Sequence, residues 1–347
     1  MDAKKPRPNL LNVAQRAGVS PATVSRVINN TAPVRESVRA RVLSTIAELG
    51  YEPTFSHPNT RTLENAIALV MPDILNPYFA EMVRGVQDDA STHGFFPVLL
   101  DCNEDPKREE QLLRMFSTQP MCGIIVLGSR LAPDDLLAVL KQSHTPTVVI
   151  NCSVRHPRIA CIRVDLESAT IHATRHLIDL NHKRIAYLAG PFQSEQSLAR
   201  RRGVERALAE AGLQLSPELC SASFPNVDGG FQAMSAILAL APTERPTAVI
   251  TYNDLMALGA LHAIRVHHLR VPEDISIIGI DDIAMAAHAN PPLTTIAQPK
   301  YRMGRLAMQT MYRMLQGHPP PEESFTLMES PLVVRESTAP ASNGVYQ

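Results

Sequence analysis

Among the 347 residues no apolar run approaches the roughly 20 that a membrane-spanning helix needs. The opening stretch, MDAKKPRPNLLN, lacks the apolar core of a secretory leader. The expectation is a soluble, cytoplasmic chain with no membrane partner. Cysteine is scarce: Cys102, Cys122, Cys152, Cys161 and Cys220 form an odd, scattered set without CxxC or metal-ligand spacing. Buried thiols are the reading that fits, rather than a metal centre or a disulfide framework. There is no P-loop, no GxSxG, no HExxH and no cluster of metal ligands, so no catalytic residue, metal or cofactor is expected. The carboxylates of Asp101, Asp105, Asp281 and Asp282 leave a nucleoside- or sugar-processing enzyme as a remote alternative.

Net charge is almost absent, at -1, but its distribution is uneven. Residues 1–61 carry nine basic side chains against four acidic ones, leaving a net -6 on the remainder. A basic head on an acidic body suggests contact with a polyanion through the head alone. Apolar residues make up 45% of the chain and charged residues 19%, enough to bury a core, and the length suits two or three domains.

The head reads as three helices. Asn9 caps a segment whose apolar positions Leu10, Val13, Ala14 and Ala17 recur at helical spacing, and Gly18 supplies the left-handed residue that ends it. Ser20 and Pro21 restart a helix as N-cap and first helical residue. Val24, Val27 and Ile28 face inward, while Pro21, Ala22, Ser25, Arg26 and Asn29 face outward. Val38, Val42, Ile46 and Leu49 give a third amphipathic stretch ending at Gly50. A short turn followed by a projecting helix suits the major groove of DNA. Arg26 has the donors for guanine O6 and N7, Pro21 and Ala22 suit a thymine methyl, and Ser25 and Asn29 suit phosphate or bases. By pattern alone a small helical bundle without nucleic acid stays open.

Residues 53–65 hold Pro53 and Pro58 and few helix formers, and read as a linker. From Ala66 onward strand-like runs at 66–71, 96–100, 123–128, 147–151, 184–190, 247–252 and 275–281 alternate with helical stretches such as 79–93 and 198–211. That alternation implies parallel sheets with helices on both faces, which bind ligands at the carboxyl ends of their strands. Tyr78 and Phe79, Ser129, Asn151, Ser194, Gln196 and Arg200, Asn253 and Asp281 follow such strands. Asp254 and Asp282 read as helix N-caps, and His182 sits in a capping position between helix and strand.

The residues Val13-Ala14, Ala17-Gly18-Val19-Ser20, Thr23-Val24-Ser25-Arg26-Val27 and Asn29, continued by Leu49-Gly50-Tyr51, resemble the signature of the LacI/GalR family of bacterial repressors. The resemblance extends through Asn76-Pro77-Tyr78-Phe79, His182-Lys183-Arg184-Ile185, Asn253-Asp254 and Pro292-Leu293-Thr294-Thr295-Ile296. It implies an all-α helix-turn-helix head (1–52), a linker (53–65), and an α/β effector domain like a periplasmic binding protein (66–340). That domain would comprise two doubly wound parallel-sheet subdomains, about 66–164 with 294–324 and 165–293 with 325–340, before a tail at 341–347. It implies a homodimer, joined mainly through the body near 79–92, on a pseudo-palindromic double-stranded DNA operator, with affinity set by a small molecule in the cleft. By carry-over Pro21, Ala22 and Arg26 read bases, and Asn12, Ser20, Thr23, Ser25 and Asn29 complete the DNA-binding set. Asn12 stands where the family usually has Asp and still permits capping. The effector-lining set is Tyr78, Phe79, Ser129, Asn151, Ser194, Gln196, Arg200, Phe224, Asn253 and Asp281. Runs at 127–131 and 290–299, with Asn151, look most like a nucleoside-responsive branch, with a sugar or sugar acid as the alternative effector. The linker lacks the family's wedge leucine and contains Pro58, which implies a loose tether.

Overall fold

The computed structural model describes residues 9–29, 33–49, 51, 65–116, 121–190, 194–320, 325–326 and 329–341. The chain divides into two compact units, 1–64 and 65–347. The linker reading at 53–65 lies, apart from Asn65, outside the described residues.

In the head, α1 (Leu10–Ala17), α2 (Pro21–Asn29) and α3 (Glu36–Leu49) enclose Val13, Ala14, Ala17, Val24, Val27 and Val42. Asn9 and Asn12 form a reciprocal capping box: each side-chain oxygen accepts from the other's backbone N–H, at 3.0 and 2.9 Å. Gly18 takes φ 65°, the left-handed turn only glycine adopts cheaply, and closes α1. Ser20 Oγ accepts from the Thr23 N–H at 3.1 Å and starts α2 as expected. Thr45, not anticipated inside, is buried because its hydroxyl donates to the Arg41 carbonyl.

The body holds two six-stranded sheets. The first runs β11 (Phe325–Thr326), β5 (Ile159–Arg163), β4 (Thr147–Ile150), β3 (Gly123–Val126), β1 (Ala66–Met71), β2 (Phe96–Asp101), every pair parallel. The second runs β12 (Leu332–Val333), β10 (Thr294–Ala297), β9 (Ser276–Asp281), β8 (Ala248–Thr251), β6 (Ile185–Ala189), β7 (Cys220–Ala222), with β12 alone antiparallel. The central strands β1, β3, β4 and β8 are buried along their length, which is why they read as unbroken apolar runs.

All seven expected strands form, and β5, β7, β10, β11 and β12 are additional. β7, β11 and β12 span only three, two and two residues and β10 carries two threonines, so these four give little periodic signal. Helices α4 (Pro77–Thr92), α5 (Pro106–Met115), α6 (Pro133–Leu140) and α11 (Lys300–Leu315) accompany the first sheet. Helices α7 (Leu166–Asp179), α8 (Glu195–Glu210), α9 (Val227–Leu238) and α10 (Asp254–Val266) accompany the second. The chain crosses between layers three times: after β5, between β10 and α11, and between β11 and β12. Two subdomain boundaries therefore differ from expectation. Thr294–Ala297 pairs with β9 in the second layer, so that handover falls after residue 297 rather than at 294. Phe325–Thr326 pairs with β5 in the first layer, so the return falls after 326 rather than at 325.

Helices α4 and α11 touch backbone to backbone. A Cβ at Gly85 would lie 2.2 Å from the Tyr301 carbonyl oxygen, and one at Gly304 would lie 2.1 Å from that of Met82. Neither obstacle is a side chain that can swing aside. G85A should therefore force the helices apart and lower stability by about 1–3 kcal/mol, read as a fall in the urea midpoint at unchanged slope.

Candidate DNA-reading surface and effector site

On the head, Pro21, Ala22 and Arg26 are exposed along one side of α2, while Val24 and Val27 are buried on the other. The helix thus presents a guanidinium and two small apolar surfaces on a rigid support. Ser25 and Thr23 are half-buried, the Thr23 hydroxyl 2.9 Å from that of Ser20. Asn12 is exposed but its side-chain oxygen is engaged in the capping box. The side chain of Asn29 lies outside the described residues.

In the body, β9 ends on Asp281, a non-glycine residue at φ 125° and 3% exposed. Its carboxylate lies 3.6 Å from Arg200 Nη2 on α8 and accepts from Gln298 Nε2 at 2.7 Å. The Gln298 Oε1 accepts in turn from the Tyr78 hydroxyl at 2.9 Å, so a chain of polar groups runs from the second layer through the crossover to α4. Tyr78 stands edge-on to Phe79, ring centres 5.1 Å apart. Arg200 is 2% exposed and its guanidinium lies over the Tyr252 ring, 4.4 Å from the centroid. Its Nε and Nη1 are buried without a hydrogen-bond partner. Gln196 is buried against Gly128 of the first layer, its Nε2 2.8 Å from where a Cβ would stand.

Other residues of the expected set are tied into the scaffold. Ser129 donates to Glu109 Oε1 at 2.6 Å and accepts from the Leu131 N–H. Asn151, at φ 57°, accepts from the Val164 N–H and joins the ends of β4 and β5. Ser194 caps α8; Asn253 caps α10 and donates to the Pro225 carbonyl. Phe224 is 58% exposed. Two N-cap expectations fail. Asp254 is the first residue of α10, not its cap, and accepts from the Thr295 hydroxyl and the Ile283 N–H. Asp282 pairs with Arg335 at 2.7 Å instead of capping a helix. His182 bridges the Thr247 hydroxyl and the Ala339 carbonyl, pinning the C-terminal segment, and burial holds its pKa below the usual value.

Three members of the cluster went unnoticed in the sequence. Tyr252 closes a strand run, and Gln298 and Lys300 follow the short, threonine-rich β10. Arg130 is likewise buried, held by Glu104 in a two-pronged ion pair with its guanidinium 6.0 Å from the Phe79 ring centre. Among the described residues no group of three His, Cys, Asp or Glu side chains is placed to hold a metal, and no helix is long and apolar enough to cross a membrane.

Burial pushes the Asp281 carboxyl up to about 7; Arg200 and Lys300 pull it down, while Asp254 adds to the rise. An unfolded chain releases that proton near pH 4. The folded state therefore keeps a proton the unfolded state gives up, and stability falls as pH rises from about 4 to about 7, then levels. D281N removes this group. The stability of D281N relative to the wild type should rise by about 1–3 kcal/mol between pH 4.5 and 8 in paired urea titrations.

Comparison with known proteins accounts for both units. Residues 9–54 match the family described as bacterial regulatory proteins, lacI family, and residues 174–338 match the periplasmic binding protein-like domain. The HTH-type transcriptional repressor CytR of Escherichia coli (strain K12) is 35% identical over 341 residues, 97% of this chain and 99% of that one. The HTH-type transcriptional repressor PurR of Aliivibrio fischeri (strain MJ11) is 34% identical, covering 94% and 97%. Among solved structures, a transcriptional regulator CelR–cellobiose complex superimposes with TM-score 0.70 at 33% identity, over 95% of this chain and 100% of that one. A lac repressor dimer bound to operator and the anti-inducer ONPF gives 0.71 at 28% identity, over 96% and 100%. With likeness running along almost its whole length, the chain belongs to the lacI family of bacterial regulatory proteins and is a DNA-binding transcriptional repressor.

Proposed function

We propose that this repressor reads a pseudo-palindromic operator as a homodimer, one α2 per half-site, and that a nucleoside lodged between its two sheet layers changes operator affinity. The observation that carries the effector site is Arg200, whose buried Nε and Nη1 lack acceptors. Buried donors left unmade cost free energy, and a ligand with hydroxyl or carbonyl oxygens removes that cost. Asp281 beside it accepts from a ribose hydroxyl, and the Phe79 and Tyr78 rings suit the flat face of a base. Asn151, where many family members have Asp, carries no charge and so favours a neutral ligand. The homodimer is supported by Phe96 and Leu99, each 44% exposed on β2 at the edge of the first sheet, where unpaired strand and exposed apolar surface invite cover. A sugar is the second reading, favoured by the cellobiose named for one similar structure.

Thermal shift with cytidine, uridine, adenosine, ribose and cellobiose separates the two. A true effector at 100 times its Kd stabilises the native state by about 2.7 kcal/mol. The expected result is stabilisation by a nucleoside but not by ribose or cellobiose, and loss of at least about tenfold in its affinity in R200A. Stabilisation by cellobiose alone would transfer the site to sugars.

For DNA, an operator selected from random duplexes provides the probe. R26A should cost about 1–3 kcal/mol on that operator and much less on random DNA in fluorescence anisotropy titrations. Equal losses on both would remove Arg26 from base reading.

A further inference from the structure

Lys300 is the first residue of α11 and is 5% exposed. That position is unfavourable for a cation. The start of a helix is the positive end of its dipole, and α11 has no side-chain cap to offset it. The neighbouring carboxylate, Glu81 on α4, is 3.5 Å away and half exposed to water. What holds the ammonium is a pair of backbone carbonyls: Nζ donates to Asp281 O at 2.8 Å and to Asp282 O at 2.7 Å.

Those carbonyls belong to two successive left-handed residues, Asp281 at φ 125° and Asp282 at φ 51°. Neither is glycine, so the conformation is strained and must be imposed by its surroundings. A strand continuing straight on would carry the Asp281 side chain elsewhere. The turn delivers its carboxylate to Arg200 and Gln298 instead. The lysine therefore meets its cost at the one place where the backbone departs from β geometry. It also joins the layers, since α11 packs on α4 beside the first sheet while Asp281 ends a strand of the second.

We infer that Lys300 is a positioning residue of the effector site: by gripping the carbonyls of Asp281 and Asp282 it sets the left-handed exit of β9 that aims the Asp281 carboxylate at the ligand. The inference rests on the reading that Arg200 and Asp281 form the polar end of that site. Lys300 touches no ligand atom; it acts through the backbone.

The test uses the full chain and calorimetric titration with cytidine. K300M should raise the cytidine Kd by roughly tenfold or more, as misplacing a binding group by an ångström does. K300R, which keeps a cation over the carbonyls, should stay within roughly threefold of the wild type while losing comparable thermal stability, because the longer guanidinium crowds the site. A lysine that only stabilised the fold would cost affinity in neither variant. The crystal structure of ligand-free K300M gives a reading independent of any effector: Asp281 should relax to an extended φ and its carboxylate should leave Arg200. An unchanged cytidine Kd in K300M, or an Asp281 that keeps both its φ and its place beside Arg200, overturns the inference. A wild-type chain that binds no nucleoside overturns the effector reading instead, and the K300M structure still decides the positioning role. If K300M fails to fold, K300Q, with amide donors and no charge, takes the same two measurements.

Discussion

The body is organised around one costly arrangement, a guanidinium and a carboxylate brought together out of water where the second sheet faces the first. Arg200 and Asp281 are 2% and 3% exposed and 3.6 Å apart. Burying a charged group is repaid only when the donors and acceptors around it are satisfied. Asp281 comes near that condition through Gln298, but Arg200 keeps two donors without acceptors. Around the pair the structure spends its least comfortable features: a left-handed aspartate, a buried lysine at a helix start, and tyrosines at 78 and 252 under close contact. Such a concentration of strain and unmet hydrogen bonding marks a candidate site.

Rigid layers make that strain sustainable. Backbone contact between α4 and α11 at Gly85 and Gly304 fixes the first layer's helices. In the second layer, a Cβ at Gly230 would meet the Met256 carbonyl at 2.1 Å and one at Gly259 the Val227 carbonyl at 2.0 Å, so α9 and α10 are locked in the same way. Apolar side chains of both layers join one core, and polar contacts add to the bridge between them. Glu195 of α8 accepts from the Ser153 N–H and hydroxyl at 2.7 Å and pairs with Arg163 at 3.2 Å. Packed cores resist deformation, whereas half-exposed polar contacts of this kind are cheap to exchange.

Much of this was legible in the sequence, for identifiable reasons. Asn9, Gly18 and Ser20 act through local chemistry that needs no partner beyond a few residues, so the head's caps and turns were readable. The buried strands of the body announced themselves as apolar runs. What escaped depends on tertiary context. Thr294 and Thr295 are fully buried in β10, yet threonine gives no apolar signal. The type and position of Asp254 suit a cap, but the cap is its neighbour Asn253, and the Asp254 carboxylate accepts from Thr295, 41 residues away. Gln298 and Lys300 join the site only because the crossover brings residues beyond β10 back beside β9. Residues carried over from the family, such as Ser129 and Ser194, use their hydroxyls within the fold, on Glu109 and the start of α8.

On the proposed reading, where a ligand touches decides whether it signals as well as binds. Arg200 and Asp281 both belong to the second layer. A molecule that completed only their hydrogen bonds would sense the first layer indirectly, through Lys300 and Gln298, and a ligand with equal affinity for two states shifts neither. Direct differential affinity comes from groups of the first layer, and Tyr78 and Phe79 on α4 stand beside the pair. A nucleoside is built for that division: ribose oxygens for the charged pair, a flat base for the aromatic rings. Tyr78 donates to Gln298, so a base that takes the Tyr78 hydroxyl would also release the crossover glutamine from its bond to α4. Affinity would then lie mainly with Arg200 and Asp281, and coupling mainly with Tyr78 and Gln298.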